Sequence, residues 1–349
     1  MTFLLSINFI ESDKFYQGEY YYLLLSSLLG ALVVSSSRDL LTIFIGIELA
    51  STPMFLLSGW KKGDRKSNEG AIKFFLLGVL SASLILYGFS LIYGLTGQLV
   101  FADISAYLLA NSLGSSPVLL LSAILVISGI GFKISVVPFH SWAPDTYEGA
   151  PLPITAYLSV SSKATGFVAL IVLLTKVFES SGQSWGVILA IVAGATMTLG
   201  NLVALQQTNP VRLLAYSSIS QAGFIIAPLA VSGITGNYQD GIFASVTYLI
   251  IYAFMNIGAF LSVHLFTNFT KSDNFYEWGG IAKHSPLTGV LTTVFFFSLA
   301  GIPPLGGWFA KFVVFRSLLS TGEIIGISLA IVGAINAVIA LVYYARISK

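Results

Sequence analysis

The chain consists mainly of apolar runs of roughly 20 residues that follow one another with only short polar joints between them. As an α-helix, such a run is long enough to cross the hydrocarbon core of a bilayer, which is about 30 Å thick. The composition fits this pattern, since 56% of the 349 residues are hydrophobic, 9% are charged and the mean hydropathy is +0.86. Soluble globular chains carry roughly 25% charged residues. The sequence therefore predicts an all-α polytopic membrane protein and excludes a water-soluble domain and a disordered chain.

Several classes of function are excluded by residues and motifs that the sequence lacks. Cysteine is absent, which removes thiolate ligands for iron–sulfur clusters and zinc, disulfide scaffolds and cysteine nucleophiles. The net charge is only +2 and the basic residues are scattered, so no nucleic-acid-binding surface is indicated. The absence of a Walker A motif, a dinucleotide-binding GxGxxG, HExxH and a nucleophile elbow argues against nucleotide hydrolysis and hydride transfer by this chain.

A hydropathy window of about 20 residues identifies ten candidate transmembrane spans. In chain order they are 19–37, 39–60, 69–94, 117–140, 151–178, 184–206, 211–232, 241–268, 285–320 and 322–345. The preceding segment, 1–18, has no basic start and no small-residue cleavage motif, so it is not a secretory signal. We expect an interfacial N-terminal segment there, or the remainder of a longer N-terminal region.

Two of the spans are expected to be broken helices. The ninth is longer than a membrane requires and contains the sequence GIPPLGG, with Pro303 and Pro304, which cannot hold an unbroken helix. The fourth is interrupted by Pro138. Each break therefore falls in the fourth of five spans.

This arrangement predicts two five-helix repeats, 19–178 and 184–345, followed by a tail at 346–349. Because each repeat has an odd number of spans, the second starts from the opposite side of the membrane, which makes it an inverted repeat. Inverted repeats with broken helices are typical of secondary transporters.

The basic residues outside the spans divide unevenly between alternate loops. On one side lie Lys14, Lys61, Lys62, Arg65, Lys66, Arg212, Lys271, Lys283, Arg346 and Lys349. On the other side lie Arg38, Lys176 and Arg316. By the positive-inside rule, both chain ends are expected on the cytoplasmic side, or on the matrix side in an organelle.

Five ionisable residues inside the spans are the candidates for chemistry. They are Glu48, Lys73, Lys133, Lys163 and Lys311. A charged group at the bilayer centre costs about 2.5–3.5 kcal/mol on insertion scales, so such groups need a partner, a water-filled cavity or a function.

Glu48 and Lys133 are both deeply placed. Glu48 lies about nine residues, or roughly 13 Å, into its span. It is interpreted either as a proton-exchanging or charge-pairing residue, or as a protonated carboxyl satisfied by a neighbouring hydroxyl or lysine. Lys133 precedes the break at Pro138, where freed backbone carbonyls and cavity water can solvate an ammonium or accept its proton. The alternative is that Lys133 only pairs with backbone.

The other three lysines differ in depth. Lys163 lies about 13 residues, or roughly 19 Å, into its span, where snorkelling to the surface is difficult. Lys311 follows the second break as Lys133 precedes the first. Lys73 lies only about four residues inside the basic face, so both snorkelling and a functional role are open.

His264 and His140 are secondary candidates for proton transfer, and the alternative is that each is a hydrogen-bonded packing residue. No histidine pair spaced for a metal is visible, so we expect no metal site. Asp145 and Glu148 are expected in a Pro-rich loop, where they fix the loop or attract protons at the surface.

Four stretches carry a resemblance to a known family. The longest is GFKISVVPFHSWAPDTYEGAPLPITAYLSVSSKATGF, which is preceded by FIGIELAS and followed by NPVRLLAYSSISQAGF and GIPPLGGWFAKF. Together they resemble subunit N of bacterial proton-pumping NADH–quinone oxidoreductase, respiratory complex I. Subunits M and L and the multisubunit sodium/proton antiporters share the PFHxWxPD-like core, whereas WAPDTYEGAP and SVSSKA are similar to subunit N.

The resemblance implies a proton channel in the membrane arm, driven at a distance by quinone reduction in other subunits. It implies that Glu48 and Lys133 interact, that Lys163 is the central relay lysine, and that Lys311 leads toward the far side. It also places Lys73 near the pair. NADH, FMN, iron–sulfur clusters and quinone are expected in partner subunits, with no cofactor in this chain.

The resemblance also implies neighbours and a location. The expected neighbours are the antiporter-like subunit M, the small K-type subunit and the lipid bilayer, without nucleic acid. The expected location is the bacterial inner membrane, with both termini cytoplasmic. Full-length bacterial relatives resemble fourteen-helix proteins, with three helices before the repeats and one after them. The ten spans correspond to the repeats, and a fragment, a shortened gene product and a natural short form are all open.

Three classes of function stay open at this point. The preferred one is a proton-translocating subunit of a redox complex. The second is a free-standing cation/proton antiporter, and the third is an assembly scaffold that does not pump.

Overall fold

The computed structural model describes residues 2–11, 18–280, 283 and 285–349. Lys14 and much of the predicted N-terminal segment 1–18 lie outside the described residues. Regular secondary structure in the described part is helical, apart from an isolated bridge between Asp39 and Val100. The predicted fold class, an all-α polytopic membrane protein, is confirmed.

The chain divides into two compact units. The first contains the chain up to Ser135 together with Phe139–Trp185, and the second contains Val136–Pro138 and Gly186–Lys349. The predicted inverted relation between the repeats 19–178 and 184–345 stays a prediction, as do the membrane orientation and the tail 346–349.

The first unit contains the helices up to α9. They are α1 (Thr2–Glu11), α2 (Glu19–Ser36), α3 (Leu40–Ser58), α4 (Arg65–Thr96), α5 (Phe101–Ala110), α6 (Pro117–Lys133), α7 (Trp142–Gly149), α8 (Leu152–Tyr157) and α9 (Lys163–Lys176). A π-helical turn, Leu158–Ser162, joins α8 to α9 within one span.

The helices from α10 onward belong mainly or wholly to the second unit. They are α10 (Gly182–Ala204), α11 (Pro210–Thr235), α12 (Tyr238–Thr270), α13 (Pro286–Ala300), α14 (Gly306–Leu319) and α15 (Ile324–Ser348).

Eight helical segments in the described part are long and apolar enough to cross a membrane. They are Glu19–Ser36, Leu40–Ser58, Arg65–Thr96, Leu152–Lys176, Glu179–Ala204, Pro210–Thr235, Tyr238–Thr270 and Ile324–Ser348. They match eight of the ten predicted spans. The remaining two are the broken helices, because α6 ends at Lys133 and the ninth span divides into α13 and α14.

Two short helices were not predicted. Helix α5 lies in what was read as a polar joint. Helix α7 carries Asp145 and Glu148, so the expectation that these residues lie in a loop was wrong. Pro144 does not prevent this helix, because it lies in the first turn, where its missing N–H would have no intrahelical partner.

Small residues allow the helices of the first unit to pack closely. A Cβ atom on Gly30 would lie 2.3 Å from the backbone nitrogen of Ala50, so α2 and α3 are almost in backbone contact. Ser27 Oγ donates a hydrogen bond of 2.7 Å to the Ala50 carbonyl across the same interface. Between α4 and α6, Ser81 Oγ donates to the Gly129 carbonyl at 2.7 Å. Small residues and interhelical hydrogen bonds of this kind are what hold helices together in lipid.

Helix α11 forms the centre of the second unit and is buried along most of its length. It begins sharply, because the Asn209 side chain accepts hydrogen bonds from the backbone N–H groups of Val211 and Arg212 and Pro210 occupies the first helical position. A helix surrounded by protein can carry polar side chains at mid-depth provided that they find partners.

Candidate functional site

Lys133 and Glu48 form an ion pair in the first unit. Lys133 Nζ lies 3.1 Å from Glu48 Oε1 and donates a second hydrogen bond, of 2.9 Å, to Ser51 Oγ. The Lys133 side chain is 8% exposed and that of Glu48 is 27% exposed. The sequence left open whether Lys133 pairs only with backbone, and in the structure it pairs with these two side chains.

The position of Lys133 follows from the break in the fourth span. Lys133 is the last residue of α6, and the chain then turns before α7 begins at Trp142. The indole Nε1 of Trp142 donates a 2.9 Å hydrogen bond to the carbonyl of Phe132, which also accepts a 3.0 Å hydrogen bond from the backbone N–H of Ser135 in the turn. The Trp142 ring stacks on Phe74 at 4.3 Å. Helix α7 therefore fixes the end of α6 and with it the backbone of Lys133.

A small cavity lies beside the Lys133 side chain. Its volume is about 10 Å³, at the lower limit of what holds one water molecule. Its lining residues come from three spans: Ile47, Ala50, Ser51, Ile130, Lys133, Ser162, Thr165, Gly166 and Ala169. The polar groups of Ser51, Lys133, Ser162 and Thr165 give a water there the hydrogen-bond partners that it needs.

Lys163 lies in the sequence between two residues that line this cavity, Ser162 and Thr165. It is 1% exposed and is the first residue of α9, directly after the π-helical turn Leu158–Ser162. Its neighbours Ser162 and Thr165 line the cavity that Lys133 also lines. Helix α9 approaches the break closely, because a Cβ on Gly166 would lie 2.6 Å from a methyl carbon of Ile134. π-Helical turns such as Leu158–Ser162 are frequent at functional sites.

Lys311 lies in the second unit and has a different set of partners. Its Nζ donates hydrogen bonds to the carbonyls of Leu299, at 3.2 Å, and Ala300, at 2.5 Å. These are the last carbonyls of α13, which the break leaves free, and the C-terminal end of a helix attracts a cation. Nζ also lies 5.2 Å from the centre of the Phe224 ring. The carbonyl solvation that the sequence suggested for Lys133 is thus found at Lys311.

Two glycines make this second break possible. Gly301 has φ +92°, a left-handed conformation that other residues rarely adopt. Gly307, the second residue of α14, lies so close to α13 that an added Cβ would lie 1.7 Å from the carbonyl oxygen of Ser298. Pro303 and Pro304 lie between these glycines, and Pro138 lies in the first break, as the sequence indicated.

Lys73 forms its ion pairs away from the Glu48–Lys133 pair. Its Nζ lies 2.7 Å from Glu69 and 2.7 Å from Asp145, and its side chain is 43% exposed. Lys66 and Glu148 form another bridge, of 2.8 Å, between α4 and α7. The Lys73–Asp145 and Lys66–Glu148 pairs hold α7 against α4, whereas the Lys73–Glu69 pair lies within α4. A direct contact of Lys73 with Glu48 or Lys133 is not among these pairs.

The two histidines lie on different elements of the fold. His264 is partly buried on α12, and its Nε2 lies 3.1 Å from the amide nitrogen of Asn268. His140 lies in the turn between α6 and α7 and is partly exposed. In the described ranges, His, Asp and Glu form no group of three that could hold a metal ion. The relay roles of both histidines stay predictions.

The uncharged partners of the lysines were not predicted from the sequence. Ser51 lies three residues after Glu48 on α3 and therefore on the same helix face. Gln221 lies in the middle of α11 and donates to the same Leu299 carbonyl as Lys311, at 3.1 Å. The available signal was a polar residue at mid-depth in an apolar span, which needs a partner there just as a charge does.

Comparison with known proteins identifies relatives along almost the whole chain. Residues 37–337 match the family model described as NADH:quinone oxidoreductase/Mrp antiporter, transmembrane. The chain is 41% identical to the chloroplastic NAD(P)H-quinone oxidoreductase subunit 2 of Mesostigma viride, covering 99% of this chain and 68% of that protein. It is also 41% identical to NADH-quinone oxidoreductase subunit N 2 of Rhizobium meliloti, covering 99% of this chain and 70% of the relative. The chain thus spans about two thirds of the length of these relatives.

Solved structures show the same fold. A chain of respiratory complex I from Thermus thermophilus matches with a TM-score of 0.79 and 30% identity, covering 99% of this chain and 74% of that one. A chain of an archaeal membrane-bound sulfane sulfur reductase matches with a TM-score of 0.84 and 27% identity, covering 94% and 65%. The Mrp complex of Dietzia is similar in fold alone, with a TM-score of 0.81 at 23% identity, covering 93% of this chain and 59% of that one.

Proposed function

The chain belongs to the NADH:quinone oxidoreductase/Mrp antiporter transmembrane family, among the relatives named subunit N or subunit 2, and we propose that it translocates protons within an NADH–quinone oxidoreductase. The proton path that we propose uses Glu48, Lys133, Lys163 and Lys311. Lys73, His264 and His140 are secondary candidates for proton entry or exit.

The observation that carries this proposal is the ion pair of Glu48 and Lys133 at the end of a broken helix. A charged lysine in the middle of a span costs free energy, and three such lysines, Lys133, Lys163 and Lys311, are 8% exposed or less. Each is next to a break or an irregular turn: Lys133 ends α6, Lys163 follows the π-helical turn and Lys311 follows the second break. Broken helices at mid-membrane are where transporters hold ions and protons.

The first transfer that we propose runs from Lys133 toward Lys163. The Lys133 ammonium holds its proton in contact with the Glu48 carboxylate and the Ser51 hydroxyl. A water in the adjacent cavity bridges Lys133 to the hydroxyl groups beside Lys163. Because interacting groups titrate as a pair, a change in the Glu48–Lys133 contact biases which residue holds the proton.

The second transfer, from Lys163 in the first unit to Lys311 in the second, is proposed from the resemblance. At Lys311 the arriving charge meets two carbonyl groups at the end of α13 and an aromatic ring. Moving one charge across 100 mV requires about 2.3 kcal/mol, which the redox reaction supplies at a distance. Coupling free energies between distant sites are typically about 1–3 kcal/mol.

The redox chemistry belongs to other subunits in this proposal. NADH, FMN, iron–sulfur clusters and quinone are bound by partners, and this chain moves protons only. Its neighbours are the antiporter-like subunit M and the small K-type subunit. The location is the bacterial inner membrane, with both ends of the chain on the cytoplasmic side.

Replacement of Lys163 tests the proposal in membrane vesicles that contain the assembled complex. NADH-driven proton pumping is measured for Lys163→Ala and for Lys176→Ala, an exposed lysine at the end of the same helix α9. We expect Lys163→Ala to lose most of its pumping at normal assembly, and Lys176→Ala to keep it. Wild-type pumping by an assembled Lys163→Ala complex would favour a scaffold.

A second vesicle assay separates the proposal from a free-standing antiporter. The chain is produced without its partner subunits, and exchange of sodium or potassium for protons is measured. We expect no exchange. Robust cation exchange by the chain alone would favour the antiporter over the redox-coupled subunit.

A further inference from the structure

Lys133 and Lys311 occupy corresponding places in their units but have different partners. In each unit the lysine lies on the broken fourth span, and a polar residue lies in the middle of the second span, Glu48 on α3 and Gln221 on α11. Lys133 is paired with the Glu48 carboxylate. Lys311, in contrast, forms no ion pair with any residue that the structure describes, and its hydrogen bonds go to backbone carbonyls.

Gln221 shares a carbonyl with Lys311. Its Nε2 donates a hydrogen bond of 3.1 Å to the carbonyl oxygen of Leu299, and Lys311 Nζ donates one of 3.2 Å to the same oxygen. A carbonyl oxygen has two lone pairs and can accept both bonds. The Gln221 amide therefore holds in place the group that receives the Lys311 ammonium.

Gln221 is itself held by two tyrosines. Tyr248 donates a hydrogen bond to Gln221 Oε1, and Gln221 Nε2 lies 3.3 Å from the hydroxyl of Tyr344. Ser217 in turn forms a hydrogen bond with Tyr344. All four side chains are 2% exposed or less. A buried polar network with its partners satisfied is rigid, so the amide has one orientation.

We propose that Gln221 is the positioning residue of Lys311 and takes the place that Glu48 holds in the first unit. It orients the Leu299 carbonyl toward the ammonium without supplying a negative charge. A carboxylate at this position would favour the charged ammonium and hold the proton there. The uncharged amide instead lets Lys311 pass its proton on. The inference rests on the proposed proton path through Lys311.

Two substitutions of Gln221 and one control test this role. The readout is the number of protons pumped per NADH oxidised in vesicles, with assembly checked on a native gel. Gln221→Leu removes the hydrogen bonds, and Gln221→Glu keeps the shape but adds a charge. Asn336→Leu is the control, because Asn336 is 2% exposed and its side chain forms hydrogen bonds with Asn201 and Thr198 rather than with Lys311 or Gln221.

We expect both Gln221 variants to lower the ratio severalfold at normal assembly, while Asn336→Leu leaves the ratio unchanged even where it lowers stability. An equal fall in the proton-to-NADH ratio in Gln221→Leu and Asn336→Leu would overturn the inference, because Gln221 would then have only a structural role. A wild-type ratio in either assembled Gln221 variant would overturn it too. Where Gln221→Leu does not assemble, the result for Gln221→Glu decides.

Lys311→Met separates this inference from the proposed function. If Lys311→Met pumps like the wild type, the proton path through Lys311 is wrong and the role of Gln221 falls with it. If Lys311→Met stops pumping and the Gln221 variants pump normally, the path stands and only the positioning role is wrong.

Discussion

Lys133 Nζ lies 3.1 Å from Glu48 Oε1, so the end of the broken helix α6 is joined by an ion pair to the middle of α3. The lysine is the more deeply buried member of the pair, and Ser51 provides its second polar contact within the same site. A buried ion pair gives little net stability, but removal of one partner leaves an uncompensated charge. The pair is therefore better suited to a change of charge state than to structural reinforcement.

Replacement of Glu48 by glutamine tests the pair directly. Gln keeps the shape and removes the charge, so Lys133 loses its counter-ion. We expect the rate of coupled proton pumping to fall by about tenfold, which corresponds to about 1.4 kcal/mol. The measurement is NADH-driven acidification of vesicles. Glu19→Gln, at an exposed position at the start of α2, is the matched control and should pump normally.

Gly307 is expected to be intolerant of any side chain. A Cβ would lie 1.7 Å from the carbonyl oxygen of Ser298, which is backbone and cannot move aside. Overpacking typically costs about 1–3 kcal/mol, so Gly307→Ala should lower the thermal unfolding midpoint and the yield of assembled complex. Gly94→Ala is the control, because nothing lies within 4 Å of its added Cβ. An unchanged midpoint for Gly307→Ala would show that α13 and α14 can separate.

Trp142 is expected to affect stability and pumping through the hydrogen bond that its indole N–H donates to Phe132. Trp142→Phe keeps an aromatic ring against Phe74 but leaves the Phe132 carbonyl without its indole donor. The backbone N–H of Ser135 still donates to this carbonyl, so the variant loses one hydrogen bond, which typically contributes about 0.5–1.5 kcal/mol. We expect lower thermal stability and reduced pumping, since Phe132 precedes Lys133. Trp278→Phe serves as the control, because the indole N–H of Trp278 has no hydrogen-bond partner in the described part of the chain. Equal effects of the two variants would contradict this role.

Asp39 gives a pH-dependent contribution to stability. The backbone N–H of Thr42 donates a 2.8 Å hydrogen bond to its carboxylate at the start of α3, and this lowers the pKa of Asp39 below its ordinary value. Because the pKa is lowered on folding, the contribution of the Asp39 carboxylate to stability is fully present at pH values above the unfolded-state pKa of about 3.9. It is lost as the pH falls through the folded-state pKa.

The corresponding variant is Asp39→Ala, which removes the helix cap. We expect a loss of about 1 kcal/mol at neutral pH, seen as a lower thermal unfolding midpoint of the purified complex. The difference from the wild type should shrink below pH 4. Asp39→Asn, which keeps an acceptor oxygen, should lie close to the wild type at neutral pH. A difference that is constant down to the lowest pH would contradict the role of the charge.

Much of the fold was predictable because hydropathy and proline are local signals. The lengths of the apolar runs located the ten spans, and Pro138, Pro303 and Pro304 located the two breaks. The partners of the lysines were not predictable, because they depend on which spans pack together. The free carbonyls were expected at Lys133 and were found at Lys311, where Gly301 and Gly307 bring α14 against the end of α13. The π-helical turn before Lys163 has no marker in composition, since Leu158–Ser162 lies within one apolar run.

The central claim, that protons pass through Lys133, is tested most directly by comparing Lys133→Ala with Lys133→Arg. Arginine keeps the positive charge beside Glu48 but does not release a proton in proteins. The measurement is proton pumping and NADH oxidation in vesicles, with assembly checked on a native gel. We predict that both variants assemble and that pumping and coupled oxidation fall steeply in both. Wild-type pumping by either assembled variant would contradict the account, because a side chain that can release a proton at position 133 would then be dispensable for proton transfer.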